Sequence, residues 1–268
     1  MKKSLFIGAT LLCFITGFAQ ETKPEDKTDN AAAAAQSNNP LANMTAFVFQ
    51  NYYMPKLNEA PVDSYQNSSW LRFAKPISDG KQLLRASLPI TTLGMPTAND
   101  EIETTSGLGD LNVFYSFNFV SKPTITVGIG PNLTIPTATS SELGTGKWQG
   151  GLALVAFVAK SPVFQYGALL TWQHSFAGDE DRNQTNNGAI QPFYFWQLGK
   201  GTYLRGAPIW YMDFENRAYS FPIALGIGKI VKVDKNMFNL FVEPQYSVWT
   251  RGTQPQFQLM MGIIFDLL

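Results

Sequence analysis

The stretch LNVFYSFNFVSKPTITVGIGPNLTI, residues 111–135, decides the fold. Its first half alternates strictly. Leu111, Val113, Tyr115, Phe117 and Phe119 fall on one face, and Asn112, Phe114, Ser116 and Asn118 on the other. Successive side chains of a strand point to opposite faces, so this is the period of a β-strand with one apolar and one mainly polar side. Ser121-Lys122-Pro123 interrupts, and the second half repeats the pattern, with Ile125, Val127 and Ile129 set against Thr124, Thr126 and Gly128. Two such runs joined by a tight turn read as an antiparallel hairpin. Soluble strands average about 5 to 6 residues, whereas a tilted strand needs about 9 to 11 to cross a bilayer. Both halves are long enough to cross.

The same unit fills the rest of the chain. Strands are expected at 44–52, 68–76, 82–93, 110–120, 124–135 and 148–160. The second half adds 164–176, 188–198, 202–212, 218–232, 237–249 and 255–267. No helical period is sustained over this region. The connections alternate in length. Gaps 53–67, 94–109, 136–147 and 177–187 are long and those near 213–217 and 250–254 smaller, with tight turns at 77–81, 121–123, 161–163 and 199–201 between them. Long loops on one side and short turns on the other are the layout of an outer-membrane barrel. Charge sorts the same way. The long side carries Asp63, Asp100, Glu101, Glu103, Glu142, Asp179, Glu180, Asp181, Asp213 and Glu215, and the turn side carries Lys81, Lys122, Lys160, Lys200, Lys232 and Lys235. A soluble β-sandwich has no reason to sort charge so. The expectation is an all-β chain: a closed antiparallel transmembrane β-barrel of about twelve strands over residues 44–268. Closure is required because every backbone N–H and C=O in lipid must be paired. Tyr166, Trp172, Tyr203, Trp210, Tyr211, Tyr219 and Trp249, near strand ends, are expected to form the interfacial girdles.

The N-terminus reads as an address. Lys2 and Lys3 precede an apolar run from Leu5 to Phe18, and Gly17 and Ala19 supply the small residues of a signal-peptide cleavage site, so residues 1–19 are expected to be removed. Residues 20–43 are charged, then alanine-rich, then polar; they carry too little apolar surface to repay ordering and read as a flexible, disordered periplasmic leader. Cys13, the one cysteine, lies in the signal, and Leu12 before it argues against lipidation. The mature chain therefore offers neither a disulfide nor a thiolate zinc site. Lys plus Arg and Asp plus Glu balance at 20 each with no basic tract, so nucleic acid is not an expected partner. The expected partners are outer-membrane lipids and lipopolysaccharide, the barrel-assembly machinery during biogenesis, and an unidentified small solute. Neither a cofactor nor a metal centre is expected.

Six stretches occur in order: SGLGDLNVFYSF, GIGPNLTIPTAT, LGTGKWQGG, TWQHSFAGD, QPFYFW and FPIALGIGKIVKV. Together they resemble a bacterial envelope family labelled "neuromedin U" or "MetA-pathway of phenol degradation", over roughly residues 68–268. The hormone name implies no relation to the hormone. The resemblance implies a secreted outer-membrane barrel of transporter type, with no settled substrate and no catalytic site.

Several motifs invite sharper chemistry. In LGTGKWQGG, Ser141 stands where a phosphate loop needs its first glycine and Trp148 where it needs Ser or Thr; a strand follows instead of a helix. A glycine-rich loop tip is the better reading. His174, the single histidine, neighbours Ser175, but adjacent strand residues face opposite ways. His174 shares the lipid face with Tyr166, Leu170, Trp172 and Phe176, so the two form no catalytic pair and the chain is not expected to be an enzyme. GDEDRNQTNN places Asp179, Asp181 and Asn183 at alternate positions, as a calcium loop begins, but Gln184 replaces the turn glycine and Ile190 the bidentate glutamate. Weak divalent-cation binding by this loop is the functional expectation, a solvated loop the plain one. Arg72, Arg85, Arg205 and Glu243 fall on lumen faces, since an Arg facing hydrocarbon costs about 2–4 kcal/mol. They either pair into a structural network or give the lumen a positive bias toward anions. Phe114, Phe193 and Phe195 on the same faces predict a constricted interior. Three functions follow: a narrow passive channel for small solutes, aromatic or anionic in class; a closed structural or surface-binding barrel; and an outer-membrane enzyme acting on lipid.

Overall fold

A computed structural model describes residues 38–99, 101–233 and 236–267. The signal peptide, residues 20–37 of the leader, Asp100 and Lys235 lie outside the described residues.

The strand segments are β1 (Thr45–Leu57), β2 (Tyr65–Ile77), β3 (Gln82–Pro96), β4 (Ile102–Leu108), β5 (Leu111–Lys122), β6 (Ile125–Ile135), β7 (Lys147–Val158) and β8 (Phe164–Gly178). They continue as β9 (Asn186–Gly199), β10 (Thr202–Gly206), β11 (Trp210–Asp213), β12 (Ala218–Ala224), β13 (Gly226–Val233), β14 (Asn236–Arg251) and β15 (Pro255–Leu267). These fifteen segments make twelve antiparallel passes, because β4–β5, β10–β11 and β12–β13 are each one pass in two pieces. The first and last strands pair from Thr45↔Leu267 to Leu57↔Pro255, which closes the barrel.

The alternation sorts as the hairpin at 111–135 requires. Phe117 and Phe119 are 50% and 55% exposed on the outer wall, while Ser116 and Asn118 between and beside them are 0% and 5% exposed. On the last strand Phe257, Met261 and Leu267 face out and Met260 and Asp266 face in. Aromatics ring the outer wall at both ends. Phe164 stacks with Tyr166 and meets Trp196 edge-on toward the short turns, and Trp148, Trp172, Phe176 and Trp249 are exposed toward the long loops. Tyr203 corrects the girdle expectation: it is 0% exposed and inside the barrel. It shares the parity of Arg205, so the alternation that sends one inward sends both.

Three boundaries differ from the expectation. The gap 94–109 is mostly strand, since β3 continues to Pro96 and pairs with β4 from Ile90↔Leu108 to Pro96↔Ile102. Its residues, IETTSGL, carry little apolar alternation and only Ile102, Thr104 and Thr105 favour a strand, so a hydrophobicity pattern passes over them. The expected strand 202–212 breaks after Gly206, where Pro208 has no N–H to give to a ladder. The expected strand 218–232 breaks opposite it, at Leu225.

These two breaks leave a seam. The split passes pair from Thr202↔Lys229 to Arg205↔Gly226 and again from Tyr211↔Ser220 to Asp213↔Ala218, with no ladder between. Side chains take over the carbonyls there. Trp210 Nε1 donates to the Pro222 carbonyl at 2.9 Å and Tyr194 OH to the Ala224 carbonyl at 3.0 Å. Gly206 makes the second bond possible, because a Cβ there would lie 2.4 Å from the Tyr194 ring.

The leader boundary also moves. Residues 38–43, polar enough in composition to read as leader, turn into the lumen at the short-turn end, with Asn38 6% and Leu41 4% exposed. Leu41 packs with Leu83, Phe114, Ala153 and Val155. Asn38 accepts from Asn239 Nδ2 at 2.9 Å, so one apolar contact and one buried hydrogen bond hold a segment whose composition is polar.

Candidate functional site in the barrel lumen

The lumen has an apolar floor and a polar upper part. Toward the short turns Phe157, Phe193, Phe195, Tyr203, Ile230 and Met237 form one buried cluster. Tyr52, Phe241 and Met260 form another. Together with Leu41 of the turn at 38–43, which packs beside Phe114, these apolar side chains narrow the bore, as Phe114, Phe193 and Phe195 on inward faces predicted. A cavity of about 640 Å³ runs along the bore, lined by apolar and polar side chains together, from Ala46 and Asp266 near the short-turn end to Leu143 and Gly144 in a long loop. Asn112 on β5 donates to Asn132 at 2.9 Å and to Thr134 at 3.1 Å on the neighbouring β6. Gln173 on β8 donates to Thr134 on β6 at 3.0 Å, and Asn187 on β9 to Gln149 on β7 at 3.0 Å, each over one intervening strand. The wall is cross-braced from inside.

The four charges expected in the lumen separate into two groups. Arg205 and Glu243 are a buried pair, with Arg205 Nε 2.7 Å from Glu243 Oε2 and the side chains 5% and 0% exposed. Glu243 Oε1 also accepts from the Ala207 amide at 2.9 Å and from Gln245 Nε2 at 2.7 Å. The break at Pro208 frees the Ala207 amide for this bond. The Arg205 guanidinium lies 3.7 Å from the Phe241 ring centroid. This carboxylate is fully satisfied, which is the condition under which a buried ion pair is tolerated.

Arg72 and Arg85 stand apart from any carboxylate among the described residues. They line the same cavity on β2 and β3. Arg72 lies 5.0 Å from the Trp70 ring and Arg85 5.2 Å from the Phe114 ring. Sequence parity placed both in the lumen; that one arginine of the three is paired and two are not is a tertiary fact.

The loop motifs resolve into structure. In LGTGKWQGG, Gly146 takes φ +68°, in the left-handed region, and Lys147 begins β7. Asp110 holds this loop by accepting from the Thr145 amide at 2.8 Å and the Ala138 amide at 3.2 Å. Arg182 holds it from the other side by donating to the Gly144 carbonyl at 2.6 Å and the Ser141 carbonyl at 2.8 Å. Neither residue stands out in the sequence, since a bracing role leaves no periodic signal. Asp179 Oδ1 accepts from the Asp181 amide at 3.0 Å, and Asn183 is exposed. No group of three or more His, Cys, Asp or Glu side chains able to hold a metal occurs among the described residues. His174 is exposed on the outer wall, while Ser175 is 2% exposed on the inner side and donates to Gln184 at 2.6 Å. The two side chains are on opposite faces, as their adjacency requires.

No family model matches the chain, and no curated protein matches it. Among solved structures it is similar to an outer-membrane channel from Pseudomonas putida F1, at 15% identity and a TM-score of 0.60, over 84% of this chain and 94% of that one. It is also similar to the NanC porin, at 10% identity and a TM-score of 0.51, over 84% of this chain and 99% of that one. At these identities the likeness is one of fold, a closed barrel of the outer-membrane channel type.

Proposed function

We propose that the chain is a passive outer-membrane channel for small solutes, with a narrow bore. The observation that carries this reading is the cavity of about 640 Å³, with polar, charged and apolar side chains in its wall, inside a closed barrel whose outer face is apolar. A barrel kept only for its wall gains nothing from an open interior of that size. The fold-level likeness to outer-membrane channels agrees with it, as do the motifs that resemble the phenol-degradation envelope family. Outer-membrane location, export through a signal peptide cleaved near Ala19, and contacts with lipopolysaccharide and the assembly machinery belong to the same proposal. The second reading, a closed structural barrel, is favoured by one observation: the apolar floor into which Leu41 packs. Single-channel recording of the refolded protein in planar bilayers separates them. Discrete small steps are expected of the channel. Electrical silence from protein shown to be folded and inserted would leave the closed barrel.

A further inference from the structure

We propose that Arg72 and Arg85 form a discrete binding subsite in the lumen for a small organic carboxylate with an apolar body. The inference deepens the channel reading and rests on it for its meaning, though it is measured as binding.

The two arginines are neighbours across the β2–β3 ladder, where Arg72 faces Ser87 and Ala74 faces Arg85. Two like charges side by side repel, and a charge held away from bulk water is costly unless something neutralises it. Arg205 shows the usual solution in this lumen, a carboxylate from the next strands at 2.7 Å. Arg72 and Arg85 have none among the described residues. Three buried polar atoms on this wall also lack a partner: Arg85 Nε, Ser87 Oγ and Gln50 Oε1. All three residues line the cavity, and Ser87 is 3% exposed. Gln50 sits opposite Trp70 in the β1–β2 ladder, so the orphaned atoms lie on β1 and β3, on either side of Arg72 on β2. One bound anion would satisfy them together. It would accept from both guanidinium groups and from Ser87, and Gln50 can turn its amide to donate.

The shape of the anion follows from its surroundings. Guanidinium forks match the planar, two-oxygen geometry of a carboxylate. Trp70 and Phe114 flank the arginines and offer apolar faces beside the charge. A carboxylate on an aromatic or short aliphatic body meets both features, and an uncharged analogue meets only one.

The test is calorimetric titration of the refolded full chain in detergent with benzoate, and with benzamide as its uncharged counterpart. Benzoate is expected to bind at least about tenfold more tightly than benzamide, given the usual worth of hydrogen bonds to charged groups. Arg72→Met and Arg85→Met should each weaken benzoate by a similar factor and leave benzamide unchanged. Arg72→Lys and Arg85→Lys, which keep the charge but lose the fork, should fall between. Equal binding of benzoate and benzamide to the unaltered protein would overturn the proposal without recourse to any variant. So would benzoate binding that is indifferent to both arginines in variants that retain folded-barrel electrophoretic mobility. Binding without conductance would defeat the channel reading and leave the subsite standing; conductance without binding would do the reverse.

Discussion

Glu243→Ala should destabilise the barrel more than any other single truncation in the lumen wall. The carboxylate is 0% exposed and accepts three bonds, from Arg205 Nε at 2.7 Å, the Ala207 amide at 2.9 Å and Gln245 Nε2 at 2.7 Å. Its removal strands the Arg205 guanidinium over the Phe241 ring. Breaking a buried pair from one side costs about 3–5 kcal/mol. The cavity beside Arg205 lets water reach part of the loss, so the lower end, about 3 kcal/mol, is expected. The assay is urea unfolding in thin-bilayer vesicles, followed by tryptophan fluorescence. With a slope of about 1–3 kcal/mol per molar urea, the midpoint should fall by about 1–3 M. Removing both partners as Arg205→Met with Glu243→Leu should cost less than Glu243→Ala alone, because no charge is left stranded. An unchanged midpoint for Glu243→Ala, or a double variant as unstable as the single, would refute the reasoning.

Trp210→Phe removes the donor to the Pro222 carbonyl and should cost about 1–3 kcal/mol in the same assay, with Tyr194→Phe acting alike at Ala224. Leu41→Asp, which puts a charge into the apolar floor, should expel the turn at 38–43 and raise single-channel conductance. The Ser140 hydroxyl holds the Glu142 carboxyl below the usual carboxylate range. A depressed folded-state pKa adds stability above the unfolded value and loses it as pH falls through the folded one. The loop at 136–146 should therefore loosen in acid, and the NMR titration midpoint of Glu142 should rise in Ser140→Ala.

Much of the fold is legible along the chain because a barrel strand has only two faces. Period-two alternation sends Phe117 to lipid and Asn118 to the lumen whatever the neighbouring strands are. The same parity puts Arg72, Arg85, Arg205 and Glu243 inside, since hydrocarbon rejects charge at any depth within the core. It also separates His174 from Ser175. Tyr203 was misread where an aromatic near a strand end outweighed its parity. What parity cannot supply is which inward residues meet. Glu243 meets Arg205, 38 residues away in sequence, because β13 lies between β10 and β14 and presents Gly226, which has no side chain, at their level. Arg72 and Arg85 are left to each other because no carboxylate among the described residues forms an ion pair with them. The entry of Leu41 into the lumen is decided in the same way, by a pocket whose walls come from separate strands and exist only once the barrel has closed.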